Sequence, residues 1–588
     1  MACYTFLMKN QEIARIFNET ADLLEIKGEN PFRIRAYRRA ALNLEVLADD
    51  ISLLPREELL KIPGIGQDLA EKIREYAETG SIQTYKDLKQ EIPEGLSAIL
   101  AIPGLGPRTA KLLFEHLHIT SLEELEQYAR ERKLSGLPGI KQKTEENILK
   151  GISMLKRGME RQPLGRVLPI AHEILEQIRR DPSLRKVSIA GSIRRWKDTV
   201  KDIDILATSK DPKSLMNAFV RLPQVKEVLM HGPTKSSVII REGLQVDLRV
   251  VGEESFGAAL AYFTGSKAHN IRLREMAVRD GLKINEYGIF REKDNKKLGG
   301  AQEEEIYSHL GLPYIPPELR EDSGEIEAAL RGKLPGLVEL KDIRGDLHVH
   351  TKRSDGSHDL DELIEAARKR GYEYIAITDH SRGLGIARGL TEERLIEEKK
   401  EIDALNRSLK GFRLLAGTEV DIRGNGEIDF PDEILRTLDI VVASIHSGFR
   451  QNRDKITARL ISAMKNPHVS VIAHPTGRLI GERDPYDVDM DEILKAARAT
   501  GTAIEINAYP LRLDLNDIYA KKAKEMGIPL VISTDTHVTS QFDYMAYGVS
   551  IARRGWLEKS DILNTLGYRS LARALKRKRP GNNKRKSF

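Results

Sequence analysis

Three carboxylates carry the first chemistry legible in the chain. Asp202 and Asp204 stand two apart in DIDIL, and Asp247 stands in LQVDLRVV. Both stretches read as β-strand, and residues two apart on a strand leave the same face. Two such carboxylates with a third on a neighbouring strand can hold two Mg2+ (or Mn2+) ions about 4 Å apart. That arrangement suits phosphoryl transfer, where a hydroxyl must be activated and a leaving pyrophosphate stabilised. Upstream, Gly191 and Ser192 follow an apolar strand and open a turn, as a phosphate cradle does. A lone pair of acids two apart is usually an ordinary solvent-facing pair. The turn, the pair and the later strand Asp together argue against that reading.

A second set of donors lies toward the end of the chain. His348 and His350 stand two apart in DLHVHTKRSDGS, with Asp355 in the next loop. His380 ends IAITDH, Glu419 nears the end of LLAGTEV, His446 ends VVASIH, His474 closes VIAHP, and Asp535 and His537 end VISTDTH. In a barrel of alternating strands and helices the strand C-termini meet on one face, so residues remote in sequence converge. Nine His and carboxylate positions suit two or three Zn2+ or Mn2+ ions. Asp379, beside His380, is a candidate to orient a ligand. Arg382 and Arg388 are candidates to meet a substrate phosphate.

The elements around these residues set the organisation. A length of 588 residues is too great for one core, and three or four compact units are expected. With 40% apolar and 31% charged residues the composition is that of a soluble globular protein. No apolar run is long enough to span a bilayer, and no signal peptide is read at the start, where Met8 is as good an initiator as Met1. The single cysteine, Cys3, excludes an internal disulfide framework and a Cys-based zinc site, and it suits a reducing cytoplasm. The net charge of +6 is small, but PFRIRAYRRAAL and KRKRPGNNKRKSF are strongly basic. Each is either a solvated surface or a phosphate-binding one.

The first 155 residues read as helices with short turns, and they repeat. LLKIPGIGQDLAEKI, ILAIPGLGPRTAKLL and LSGLPGIKQKTEENI share a plan of Gly-containing turn followed by amphipathic helix. Such turns expose backbone N–H groups that can hold a phosphate. This is the helix–hairpin–helix signature, with Gly64, Gly66, Gly104 and Gly106 as candidate DNA-backbone contacts and Na+ or K+ as a further candidate ligand of the turns. Lys141 replaces the second Gly of the third copy. Residues 156–320 mix strands and helices, a Pro- and acid-rich connector follows, and regular strand–helix alternation fills the remainder.

The pattern of GS, RR, the paired acids, VDLRV, AYFTGSKAHNIRLREMA and INEYGIF resembles the family X DNA polymerases, the group containing DNA polymerase beta. The resemblance runs from about residue 8 to 320. It implies that Asp202, Asp204 and Asp247 are the catalytic metal triad. It implies also that Ser192 and Arg195, beside the Gly191 turn, touch the triphosphate; Lys201, where the family's pattern differs, either adds a phosphate contact or points to water. Tyr262, Phe263 and Gly265 would flank the incoming sugar and base, Asn270 the base edge, and Arg274 the template. Lys72 matches the family's Schiff-base lysine and is a candidate lyase nucleophile, although Asp68 and Arg35 stand where helper lysines are found. Val200, Lys201 and Gln245 are further departures from DNA polymerase beta.

The downstream donors resemble the PHP (polymerase and histidinol phosphatase) domain, a distorted (β/α)7 barrel, over about residues 340–575. By that resemblance His348, His350, Glu419 and Asp535 hold one metal, Glu419, His446 and His474 a second, and Asp355, His380 and His537 a third. The expected architecture is therefore a multidomain α/β chain. A helical lyase-like region (1–90) and helix–hairpin–helix fingers (91–155) precede a nucleotidyltransferase palm (156–255) and thumb (256–320). A linker (321–340), the PHP domain (341–575) and a basic tail (576–588) follow. The implied activity is gap-filling DNA synthesis in base excision repair with 3′→5′ exonuclease or related 3′-end hydrolysis. Gapped or primer-template DNA and dNTPs would be the partners of a cytoplasmic monomer without membrane attachment. The rival readings are a phosphoesterase for a small phosphate ester with an inactive transferase portion, and a non-catalytic DNA-binding scaffold.

Overall fold

The computed structural model describes residues 2–44, 51, 54–62, 64–92, 96, 99–100, 102, 105–137, 140, 144–145, 148–149, 151–152 and 161–576. Gly104, Lys141 and residues 577–588 of the basic tail lie outside them. The chain divides into two compact units, one of residues 2–161 with 239–245 and one of 162–238 with 246–588. Among the described residues no helix is long and apolar enough to cross a membrane.

The N-terminal part of the first unit is helical, as its periodicity predicts. Helices Ala2–Lys27 and Pro31–Leu44 pack on Gln67–Thr79, Gln83–Glu91, Pro107–Leu117 and Leu122–Arg130 around one apolar core. Pro31 and Pro107 occupy first helical positions, where a missing N–H costs nothing. Helix Gln67–Thr79 starts from Gly66 and ends on Gly80 in the left-handed region, and helix Pro107–Leu117 starts from Gly106.

The second unit opens with the strands β1 (Gln162–Pro163), β2 (Leu184–Ile189), β3 (Thr199–Val200), β4 (Asp202–Ser209), β5 (Val225–His231), β6 (Lys235–Ile240) and β7 (Gln245–Val250). β1 pairs with β3, and the other five form a sheet in the order β2-β4-β7-β6-β5, so the strands bearing Asp204 and Asp247 are neighbours. Helices Phe256–Thr264 and Lys267–Arg279 follow, with a small sheet of β8 (Leu282–Asn285), β9 (Gly288–Arg291) and β10 (Lys297–Gly299).

A buried ion cluster joins the five-stranded sheet to the region that follows it. Arg194 makes a two-armed contact to Glu303 at 2.8 and 2.7 Å, and Arg320, itself fully buried, reaches the same carboxylate at 2.5 Å. Burial opposes ionisation of Glu303, but the hydrogen bonds and charges of Arg194 and Arg320 outweigh it and hold the group at about 2. A carboxylate depressed from 4.5 to about 2 contributes stability above pH 4.5 that is lost as pH falls through 2. Glu303→Gln is therefore expected to lower the thermal midpoint at pH 7, with a cost of about 3 kcal/mol typical of a broken buried pair. The gap between parent and variant should narrow below pH 4.5 and close only below about pH 2, which scanning calorimetry across the pH series measures.

The connector 321–340 is not a loose linker. Glu325 opens helix Glu325–Leu330, accepts the backbone N–H groups of Asp322 (2.9 Å) and Ser323 (2.7 Å), and meets His269 Nδ1 of helix Lys267–Arg279 at 2.7 Å. Farther on, Val338 N–H donates to Leu557 O at 3.0 Å, and Arg553 bonds both Glu318 (2.7 Å) and Val338 O (3.1 Å). The Pro, Gly and acidic residues that read as a tether instead supply turns and caps.

The remainder is a parallel barrel of β11 (Gly345–Val349), β12 (Tyr374–Ile377), β13 (Arg413–Asp421), β14 (Ile440–Ser444), β15 (Val471–Ile472), β16 (Ala503–Asn507) and β17 (Leu530–Ser533), hydrogen-bonded in chain order. A bridge between Val349 and Thr536 brings the last strand back to the first, with His350 N–H donating to Thr536 O at 2.8 Å. The expected seven-stranded α/β barrel is what the chain forms. Leu347, Ala376, Val442, Val471 and Val531 share one apolar cluster with Leu571 and Leu575 of the last helix, Tyr568–Lys576.

Two candidate metal centres

In the five-stranded sheet, β4 places Asp202 and Asp204 on one face with Ile203 buried between them on the other. Burial first, then the charges of Asp202 and Asp247, push the Asp204 carboxyl up to about 7. Three carboxylates that resist joint ionisation form a site that demands cations. Lys235 supplies one such charge, its Nζ 2.9 Å from Asp247 Oδ2. No pattern in PTKSS marks this lysine, and the sequence reading missed it. Gly191 sits at φ +61°, and a Cβ there would lie 2.4 Å from Asp204 Oδ2. Only glycine lets the turn pass this close to the acid. Ala190 N–H donates to Asp204 O at 2.8 Å and fixes the turn to the strand.

The other residues expected to meet a nucleotide lie on the adjoining turns and helix. Ser192 and Arg195 lie on the short helix from Gly191 and at its end, and Lys201 is exposed just before Asp202. Arg195 donates to Thr264 O, at the start of the turn containing Gly265, and to Glu321 Oε1 at 3.1 Å. Gly265 has φ +72°, and a Cβ there would stand 3.1 Å from the Arg195 guanidinium. Tyr262 and Phe263 meet edge to face, with ring centroids 5.1 Å apart. Arg249 lies 4.4 Å over the Phe263 ring. Asn270 donates from its amide to Tyr262 O at 2.7 Å, and Arg274 donates to Asn270 O at 3.2 Å. The Asn270 side chain thus braces the YFTG turn, while Arg274 bonds one turn back within its own helix.

The N-terminal candidates are local turn features. Gly64 turns at φ +85° and Gly66 caps the helix carrying Lys72. The Lys72 ammonium is held by Asp68 Oδ1 at 2.5 Å.

The barrel brings all nine downstream donors to its C-terminal face. Glu419, inside β13, is central. Its Oε1 faces His446 Nε2 (3.4 Å) and His474 Nε2 (3.1 Å). Its Oε2 faces His348 Nε2 (3.3 Å), His350 Nε2 (3.6 Å) and His380 Nδ1 (2.9 Å). Asp535 Oδ1 lies 3.2 Å from His350 and 3.6 Å from His348. Asp355 Oδ2 lies 3.4 Å from His380 and 3.3 Å from His537. Among the described residues, ligand-competent groups form around His350, Asp355, His380 and His537, around His348, His350 and Asp535, and around His380, Glu419 and His446. His350 and His380 are each shared by two groups, which the linear order of the chain does not reveal.

The donors fit divalent ions. His348 Nε2, both nitrogens of His350, His380 Nδ1 and Glu419 Oε2 are buried without a hydrogen-bond partner. Such groups are costly unless something else satisfies them. Burial disfavours a charged Glu419, but His380, His446 and His348 hold it well below the usual carboxylate range. Burial would lower His380, yet Glu419 and Asp355 push it up to about 10, so the pocket draws positive charge. Asp535 and His474 both have left-handed backbone, φ +56° and +28°. For non-glycine residues this costs about 1 kcal/mol each and is characteristic of functional positions.

Asp379 accepts from Thr351 N–H (2.7 Å), Thr351 Oγ1 (2.5 Å) and Ser354 Oγ (2.6 Å), bracing the loop that carries Asp355. Glu505 does the orienting. It meets His348 Nδ1 at 2.8 Å and accepts the backbone N–H of His474 at 2.8 Å. Asn507 donates to Asp535 Oδ2 at 3.2 Å, and Asp421 lies 3.5 Å from His446 Nδ1. The signal was present in EIN, two polar residues on one face of an otherwise apolar strand. Arg382 and Arg388 are exposed on the loop after His380.

Comparison with known proteins decides the family. A relative from Bacillus subtilis (strain 168), named DNA polymerase/3′-5′ exonuclease PolX, is 42% identical over 572 residues, 97% of this chain and 100% of that protein. The chain belongs to the PolX group of family X DNA polymerases. Family models match in the same order: a helix-hairpin-helix domain at residues 8–82, a SAM-like helix-hairpin-helix tandem at 81–153, the DNA polymerase beta thumb at 259–321 and the PHP domain at 346–509. Shorter proteins match about a third of this PolX-group chain. A probable phosphatase of Thermoanaerobacter sp. (strain X514) is 30% identical over 231 residues, 37% of this chain and 89% of its own. Another, of Caldanaerobacter subterraneus subsp. tengcongensis, is 34% identical over 223 residues, 35% of this chain and 80% of its own.

Proposed function

We propose that the chain fills short gaps in DNA by templated nucleotide addition and removes 3′-terminal nucleotides by hydrolysis, as base excision repair requires. The observation that carries this reading is the presence of two complete and chemically different donor sets in one chain. One is a carboxylate triad; the other is a His-rich cluster. The near full-length relative bears a name with both activities.

Divalent ions, Mg2+ or Mn2+ on the triad and two or three Zn2+ or Mn2+ on the His-rich cluster, would supply the charge that phosphoryl transfer and phosphodiester hydrolysis develop. The chain's own groups do the positioning. The Gly191–Ser192 turn and Arg195 receive the triphosphate, while Tyr262, Phe263 and Gly265 shape the sugar pocket. Lys201 adds charge beside the turn. Lys235 neutralises Asp247 until substrate arrives. In the barrel, Glu505 fixes the His348 ring and Asn507 the Asp535 carboxylate. The turns at Gly64, Gly66, Gly104 and Gly106 grip the DNA backbone without reading sequence, with Na+ or K+ able to share the phosphate contact. A Schiff-base role for Lys72 would first have to break its contact with Asp68.

A time course on a labelled gapped duplex tests the reading. With dNTPs the primer should lengthen to close the gap; without them it should shorten from its 3′ end; a chelator should stop both. Lack of extension in both Mg2+ and Mn2+ would refute the polymerase half. The relatives named probable phosphatases favour a second reading for the hydrolytic half, removal of a 3′-phosphate. A primer ending in 3′-phosphate distinguishes it, since phosphate release without shortening supports this alternative.

A further inference from the structure

We infer that the barrel portion builds one wall of the polymerase's nucleotide site, with Arg554 acting as a positioning residue that holds the Arg195 turn in place. Arg554 ends helix Met545–Arg554 and its side chain is only 3% exposed. One arm of its guanidinium donates to the backbone carbonyl of Arg195 at 2.7 Å and to Glu321 Oε1 at 3.1 Å. The other donates to Asp517 Oδ2 of the barrel at 2.6 Å. The same Glu321 oxygen accepts from Arg195 Nε at 3.1 Å and lies 4.0 Å from Lys197 Nζ. Arg554 therefore fixes both the backbone of Arg195 and the carboxylate that aims its guanidinium.

The rest of the segment is held from the same side. Trp196, in left-handed backbone at φ +54°, meets Tyr547 edge to face at 5.7 Å. Asp198 accepts from Arg478 at 3.1 Å, and Arg478 also bonds the carbonyls of Arg512 (2.8 Å) and Leu513 (2.6 Å). Residues 195, 196 and 198, between the Gly191 turn and Asp202, thus each rest on the barrel. Arg195, Lys197 and Arg554 bring three positive charges against the two carboxylates of Glu321 and Asp517. The cluster keeps an unmatched positive charge at the turn, which a triphosphate would complete. A buried, charge-assisted contact of this kind places an arginine within a fraction of an ångström of its working position, and its loss is felt in nucleotide binding.

The inference rests on the proposed polymerase reading, in which Arg195 meets the triphosphate. Its test uses the full chain with Arg554→Met, Asp517→Asn, Arg195→Met and the Arg195→Met/Arg554→Met double variant. Single-nucleotide gap filling gives KM for dNTP and kcat separately. The quench of Trp196 fluorescence by dNTP in a Trp556→Phe background gives binding without turnover. Arg554→Met should raise KM and the dissociation constant about tenfold, with 3′-end hydrolysis of a single-stranded oligonucleotide within about twofold of the parent. Asp517→Asn, which removes the anchor of Arg554, should show a smaller rise of the same kind. In the Arg195→Met background Arg554→Met should add nothing further, because both act through one group. An unchanged KM in Arg554→Met overturns the inference. So does equal loss of both activities, or multiplication of the two single effects. If Arg554→Met does not fold, an unchanged KM in Asp517→Asn overturns it. Failure of the parent itself to extend primers would instead refute the polymerase reading, and the inference with it.

Discussion

Asp204→Ala is expected to abolish nucleotide addition, by at least about a thousandfold, and to leave 3′-end hydrolysis within about twofold of the parent. Asp204 packs against the turn at Gly191 and has Asp202 and Asp247 as charged neighbours. Removing it takes away the donor that lies against the phosphate turn and leaves Asp202 and Asp247 to hold the site's cations alone. The His-rich cluster draws all its donors from residues 348–537, so nothing in it depends on β4. Asp204→Asn is the control for folding, since it keeps the side-chain shape, and the Ala190 N–H bond to the Asp204 carbonyl does not involve the side chain. Primer extension and hydrolysis measured on the same preparations decide the matter. Parallel loss of both activities in Asp204→Asn would mean that the two sites are not separable.

What the sequence made legible follows from how local the signals are. Asp202 and Asp204 are two residues apart, and a strand's period places them together whatever surrounds them. The barrel donors were legible because each sits at the end of an apolar run, and parallel barrels collect strand ends. Pairing among the donors was not legible. His380 joins both Asp355 and Glu419 because a single-residue bridge brings it alongside Glu419, and such bridges have no sequence signature. Lys235 and Arg554 escaped notice for the same reason. A lone cation reads as surface until the fold buries it against a carboxylate from elsewhere. The connector misled because Pro, Gly and acids serve caps and turns as readily as tethers; Glu325 is fully buried in spite of its charge.

Glu419→Gln should do the converse of Asp204→Ala. We expect 3′-end hydrolysis to fall by at least about a thousandfold, bound metal to drop, and primer extension to stay within about twofold of the parent. No other donor in the cluster meets so many partners. Five imidazoles face its two oxygens, His446 and His474 on one and His348, His350 and His380 on the other. A carboxylate used this way can bridge two ions, giving each an oxygen, and an amide cannot, because its NH2 offers no lone pair. Glutamine keeps the volume, so packing is preserved while the charge is lost. The histidines are then left without the anion that draws positive charge into the pocket, and His380 loses a partner at 2.9 Å. His350→Ala, at the junction of two ligand groups, should give the same separation of activities. Metal content by atomic emission, read beside the two assays, distinguishes the outcomes. Retained hydrolysis with depleted metal would move the hydrolytic chemistry away from Glu419. Retained metal with lost hydrolysis would make Glu419 a partner of the substrate or its proton and not a ligand. Loss of metal and of hydrolysis together, with extension intact, is the result that the geometry requires.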